Sequence, residues 1–289
     1  SSAASDVYKR QVQPLSELEV KAELLYNRIP FSKILFMINL SLGVLSFLLL
    51  LHNSLQRNIL SPKAKTISRT AGTIFSVALY LAFIFHLAGY CLRWYIGGRI
   101  PLSNGYETMQ FMALCILLIA CLLHRRFSFI LPFGFLLSGF ALLVSYLGQM
   151  NPQITPLMPV LVSPWLSIHV SLIMMSYALL AFIMLNGILA LCLRKKESEN
   201  NVSGNDAIQD NRIEQLTLVS RLLLYPATFF LGAGIFLGAV WANVSWGRYW
   251  AWDPKEVWAL ITFLVYGVAF HSQSLRIFRK PLFFHICLL

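Results

Sequence analysis

Three tryptophans, Trp246, Trp250 and Trp252, fall within seven residues, and Trp241 and Trp258 lie just outside, in a 289-residue chain with seven tryptophans in all. The same stretch, residues 246–256, carries Arg248, Asp253, Lys255 and Glu256. Indole rings suit a membrane–water boundary, which accounts for one or two tryptophans but poorly for a cluster with four charged groups. A flat aromatic surface with basic groups nearby suits a large planar anion. Such a ligand can stack on the rings while its carboxylates meet the cations. Asp253, Pro254 and Glu256 read as the N-cap, first position and third position of a helix, a capping box. Capping accounts for Asp253 without a ligand. It also holds the tryptophan loop rigidly over the helix mouth, so the two roles do not exclude each other.

The histidines are the second chemical resource. His169 lies five residues past Pro164, roughly 7–8 Å into its helix, within reach of the tryptophan loop. His271 lies 17 residues past Pro254, roughly 25 Å down another helix. His86 sits in the outer part of a third helix, and His52, His124 and His285 lie near span ends or in the C-terminal tail. An ionisable group inside a membrane span is costly and is therefore a functional candidate, although a neutral histidine bonded to a neighbouring helix is the ordinary alternative. His169 and His271 mark one candidate site outside and one deep in the membrane. Imidazole is a common axial ligand of haem iron, and the haem ring with its two propionates fits an aromatic and basic loop.

These groups need a membrane scaffold. The chain is 57% hydrophobic and only 12% charged, about half the charged fraction of a soluble domain, with a mean hydropathy of +0.67. The expected fold class is all-α: a polytopic integral membrane helical bundle whose helices satisfy their own backbones in lipid. A formal charge of +11 reports topology in such a chain rather than nucleic-acid binding. Cys91, Cys115, Cys121, Cys192 and Cys287 form no CxxC, CxxCH, zinc or iron–sulfur spacing, and most read as small buried hydrophobes.

Residues 1–33 are polar and mixed, without the apolar core of a cleavable signal, and hold a short helix over 15–27. Spans are expected at about 34–51, 70–92, 108–123, 127–147, 165–193, 222–244 and 254–275. A partial eighth begins near Leu282, and the sequence is expected to stop just inside it. Disorder is expected over 197–211. Fourteen Lys and Arg fall in the loops on one side and four in those on the other. The positive-inside rule therefore puts the tryptophan loop, the Pro-rich loop 149–163 and the loop 93–107 outside. The division expected is an N-terminal extramembrane segment, 1–33; a first span with a basic cytoplasmic loop, 34–69; and a membrane domain, 70–289, bearing the loop at 241–256.

The stretch Trp246-Gly-Arg-Tyr-Trp-Ala-Trp-Asp-Pro-Lys-Glu-Val-Trp258 resembles the tryptophan-rich WWD signature of haem-handling proteins of cytochrome c biogenesis, closest to the CcsA/ResC branch of System II. Tyr266 to His271, Ser163 to Val170, Arg93-Trp-Tyr and Pro101 to Glu107 also resemble that family, so the likeness runs from about residue 70 to 280. It implies that haem b is bound in the membrane and presented at the outer face of a bacterial inner membrane. There it is attached to the CxxCH thiols of apocytochrome c by a haem lyase acting with a CcsB-like partner or fused domain. His169 would be one of two external histidines, and His271 a membrane-embedded ligand on the inward side. Trp241, Trp246, Trp250 and Trp252 with Arg248 would form the platform, shaped by Asp253. The second external histidine is expected beyond the end of this sequence, and 34–69 would be the junction to a CcsB-like part. Two alternatives stand beside this: a haem carrier or exporter without ligation activity, and a solute transporter of another family. A transporter would show broken helices or repeated halves, which are not evident.

Overall fold

The computed structural model describes residues 16–55, 62–148, 150, 152–154, 161, 163–199, 206–270 and 280–287. Among these residues there are helices and no strands. In chain order they are α1 (Glu17–Arg28), α2 (Phe31–Leu55), α3 (Pro62–Gly97), α4 (Gly105–Leu123), α5 (Ile130–Leu147), α6 (Pro164–Glu199), α7 (Asp206–Trp246), α8 (Pro254–Phe270) and α9 (Lys280–Ile286).

Among the described residues, six helical stretches are long and apolar enough to cross a membrane: Glu17–His52, Thr66–Gly97, Gly105–Leu123, Ile130–Leu147, Pro164–Leu193 and Ile213–Trp246. The expected seventh span starts at Pro254 as read from the sequence. Its described part, α8, has 17 residues, fewer than the roughly 20 that a span needs, and its expected continuation lies outside the described residues. The expected eighth is represented by the seven residues of α9.

Several helices outrun their apolar cores. α3 begins at Pro62 rather than near residue 70, and α6 and α7 cover 197–199 and 206–211 of the segment expected to be disordered. Hydropathy marks only the part that must lie in lipid. Lys, Arg, Glu and Gln are good helix formers, and the i→i−4 ladder continues through them. α7 also continues through Pro226, which removes one rung of that ladder.

The chain forms two compact units, one through Ser167 and one from Ile168 onward. In the first, α2 and α5 approach closely at two glycines. A side-chain carbon on Gly43 would fall 2.9 Å from the Leu136 backbone nitrogen, and one on Gly139 would fall 3.0 Å from that of Leu40. Small residues allow such contact between membrane helices, and a hydrogen bond from Asn39 Nδ2 to Ser138 Oγ (3.0 Å) adds polar glue. Leu79, Ile116, Leu117, Phe135 and Leu142 fill the core, while Leu45, Leu81, Ile84 and Phe140 face outward as a lipid-facing surface requires.

One end of this unit is tied by a buried ion pair. The Arg93 guanidinium meets Glu107 Oε1 at 2.9 Å, with both side chains 2% exposed. Arg93 also donates to Tyr26 Oη (3.2 Å) and to the carbonyls of Pro152 (2.6 Å) and Gln153 (3.3 Å), and its cationic carbon lies 5.1 Å from the centre of the Tyr106 ring. The other Glu107 oxygen accepts from Ser103 N–H and pairs with Arg99. Tyr90 Oη donates to the Pro101 carbonyl. The Arg-Trp-Tyr and Pro-to-Glu segments singled out by resemblance thus clamp α1, α3, α4 and the 152–153 segment together.

In the second unit α6 runs antiparallel to α7. Ile173 lies against Gly234, where a side-chain carbon would fall 2.7 Å from Ile173 Cδ1, and Ser176 Oγ donates to the Ala227 carbonyl at 2.8 Å. On its other side α7 meets α8, with Phe263 against Gly232 and the Tyr225 and Phe270 rings 5.2 Å apart. α9 is joined to α8 by the Tyr266 hydroxyl, which donates to the Cys287 carbonyl at 3.1 Å.

Candidate functional site

α7 ends at Trp246 because Gly247 turns left-handed, with φ +71, a conformation open to glycine at little cost. The chain then returns to α8 through residues 247–253. Asp253 caps α8 as expected: its Oδ1 accepts Glu256 N–H at 3.0 Å. The Glu256 carboxylate accepts in return from Asp253 N–H (3.4 Å) and from Ala251 N–H (2.8 Å). One glutamate therefore holds two successive parts of the loop.

The hydrogen bond from Glu256 N–H, with the Lys255 ammonium 3.5 Å away, holds the Asp253 carboxyl below the usual carboxylate range. A lowered folded value means that the cap is fully present above the ordinary carboxylate pKa and fades only as pH falls through the still lower value in the loop. Loop tryptophan fluorescence is thus expected to stay constant from neutral to mildly acidic pH and to change only below the ordinary range. Asp253→Asn keeps an acceptor for the cap but has no carboxyl to protonate, so the low-pH change assigned to Asp253 is expected to be lost. Asp253→Ala loosens the loop by about 1 kcal/mol. A fluorescence midpoint near neutrality would contradict this account of the loop.

The tryptophans form two edge-to-face pairs. Trp241 and Trp246 have ring centres 6.4 Å apart at 89°, and Trp250 and Trp252 are 6.0 Å apart at 82°. Each pair has an inner, half-buried ring (Trp241, Trp250) and an outer ring, with Trp246 59% and Trp252 73% exposed. The indole nitrogens of both inner rings are buried and have no hydrogen-bond acceptor among the described residues. Trp252 adopts φ +59, a left-handed conformation that is unfavourable for a bulky residue. Arg248 is exposed on the same loop.

His169 lies in α6, five residues past Pro164, and the structure adds its surroundings. Its Nδ1 is 2.6 Å from the Gly234 carbonyl oxygen. A carbonyl only accepts, so Nδ1 carries the proton and Nε2 is left with the lone pair, the tautomer that a metal-binding imidazole needs. The ring fills the place a side chain at Gly238 would take: a carbon there would fall 2.6 Å from Cε1 and 2.7 Å from Nδ1. Ala227, Gly234, Gly238 and Trp241 lie on one stripe of α7, the last three at i, i+4 and i+7. The His169 ring and Trp241 therefore occupy neighbouring turns of one helix face, with Trp241 on the loop side.

The six loop residues singled out from sequence, Trp241, Trp246, Arg248, Trp250, Trp252 and Asp253, are all at this one end of α7 and α8, and His169 packs one turn further in. His271 lies outside the described residues. Gly234 and Gly238, which shape the histidine's position, were not singled out. The signal was present as Gly232-x-Gly-x-x-x-Gly238, a run of small residues in a membrane helix that marks close approach of another element. His86 is buried in the first unit, its Nε2 donating to the Gln110 carbonyl at 3.0 Å.

Helices of this length and apolarity, with an aromatic loop at one end, define a multi-pass helical membrane protein. The chain belongs to the cytochrome c assembly protein family, whose profile matches residues 102–287. It is 36% identical over 261 residues to protein NrfI of Wolinella succinogenes, covering 90% of this chain and 28% of NrfI. It is 38% identical over 191 residues to the cytochrome c biogenesis protein CcsA of Chlamydomonas reinhardtii, covering 63% of this chain and 52% of that protein. With CcsA of Mesostigma viride it shares 33% identity over 235 residues, covering 71% and 72% of the two chains. The chain thus spans about a quarter to a half of the first two relatives. Among solved structures, cytochrome c heme lyase CcmF superposes with a TM-score of 0.60 at 17% identity, over 89% of this chain and 45% of that one. That likeness is one of fold.

Proposed function

We propose that this chain takes part in cytochrome c maturation by binding haem in the membrane and presenting it at the outer face for attachment to the CxxCH thiols of apocytochrome c. It works there as part of a haem lyase with a CcsB-like partner or fused part, to which residues 34–69 form the junction. Membership of the assembly family and the likeness in fold to the cytochrome c heme lyase CcmF support the general role. The observation that carries the haem reading is His169: an imidazole with Nδ1 fixed on a backbone carbonyl, its Nε2 lone pair left as a ligand, packed against α7 one turn from Trp241.

The residues present suit the substrate. His169 Nε2 supplies an axial nitrogen. Trp246 and Trp252 offer exposed aromatic surface, and Arg248 offers a cation for a propionate. The chain's contribution is positioning: a porphyrin held in one orientation places its vinyl groups beside two thiols. His271 is proposed as an inward-side ligand of a second haem position. The excess of Lys and Arg on the opposite loops supports an outer, periplasmic placement of the tryptophan loop in a bacterial inner membrane.

The test is an absorption spectrum of the purified full chain, as isolated and after dithionite reduction, beside His169→Ala and His271→Ala. A Soret band with sharp reduced bands, weakened by either substitution, is the expected result. Haem insensitive to both substitutions would place it elsewhere in the chain. No haem even when it is supplied during expression would overturn the reading in favour of a transporter.

A further inference from the structure

We infer that the inner indole N–H groups of Trp241 and Trp250 are the hydrogen-bond donors for the carboxylates of the planar anion this loop binds. The inference rests on the haem reading above and names the groups that would select a dicarboxylate. Buried donors without acceptors are rare in folded proteins, because each forfeits its water without replacement. Here two lie within ten residues, both on indoles and both at the same end of α7 and α8. Indole nitrogen only donates, so what completes these groups must be an acceptor, and a carboxylate forms the stronger, charge-assisted bond.

The pairing of the rings shows how a ligand would reach them. Each inner tryptophan stands edge-to-face with an outer one that is mostly exposed, so a ligand stacking on the outer ring arrives beside the inner one. Trp252 also holds an unfavourable left-handed backbone, a strain of the kind kept at binding loops and released or used on ligation. The loop's acidic groups are committed elsewhere: Asp253 to the cap and to Lys255, and Glu256 to two backbone N–H groups. No carboxylate of the loop itself is thus directed at the two indoles, which matches an acceptor arriving with the ligand.

Phenylalanine keeps an aromatic face and removes the N–H, so Trp241→Phe and Trp250→Phe separate hydrogen bonding from stacking. The probes are an iron porphyrin with two free propionates and its dimethyl ester, titrated by absorbance into the detergent-purified full chain. Each substitution is expected to weaken the dicarboxylate about tenfold, the worth of one charge-assisted hydrogen bond. Ester binding, whose neutral carbonyls accept only a weaker bond, is expected to fall distinctly less, and its persistence shows that the variant is folded. Equal weakening of both ligands would reduce the two residues to ring packing and overturn the inference, as would no weakening of either. If the wild-type chain takes up neither ligand, the haem reading itself falls, and this inference falls with it.

Discussion

Gly238→Ala is expected to disrupt the haem spectrum that depends on His169 while leaving α7 folded. The added methyl would fall 2.6 Å from Cε1 of the imidazole, well inside van der Waals contact. The ring must then move, and its 2.6 Å hydrogen bond to the Gly234 carbonyl cannot survive a shift of that size. Losing the partner that fixes a ligating histidine typically lowers metal affinity about 10–100-fold. Alanine is the better helix former by about 0.5–1 kcal/mol, so global stability should change little. The measurement is a haem titration beside a thermal unfolding curve. Unchanged affinity and an unchanged reduced spectrum would show that the ring's placement against α7 has no bearing on haem.

The second large effect concerns stability. Glu107→Gln leaves the Arg93 guanidinium, 2% exposed, beside a neutral amide. Removing one partner of a buried pair costs about 3–5 kcal/mol, because the remaining charge is uncompensated. In a chain of this size that corresponds to a fall in Tm on the order of 10 °C. The Ser103 N–H and Arg99 also lose the carboxylate they share. Arg93→Met should destabilise less, since Glu107 keeps its pairing with Arg99 and the Ser103 N–H. The double variant should lose less than the two single losses added together, because the two residues share one ion pair and the buried guanidinium is gone with its partner. A single variant melting at the wild-type temperature would show that the cluster is hydrated rather than buried.

These two expectations differ in how far they could be read without coordinates. The tryptophan loop was legible because its chemistry is local. Trp241 to Glu256 are close along the chain, and a turn between two helices keeps them close in space. The cap was legible for the same reason, since Asp253 and Glu256 are three apart and a capping box spans that distance. Helix positions followed from hydropathy, although the polar ends of α3, α6 and α7 did not, because lipid constrains only the apolar part.

What the amino-acid sequence determined by itself, then, was the class of the protein, the turn that carries the aromatic cluster and the position of His169 along its helix. Only the tertiary structure decided which nitrogen of His169 carries its proton. That depends on a carbonyl 65 residues away, and no pattern along one helix reports which residue of another lies opposite. The same holds for Arg93, whose partners Tyr26, Glu107, Pro152 and Gln153 come from three separate stretches of chain. A burial-driven contact between distant segments is set by how helices cross. Crossing depends on where glycines such as Gly234 and Gly238 let two backbones, or a backbone and an imidazole, come together.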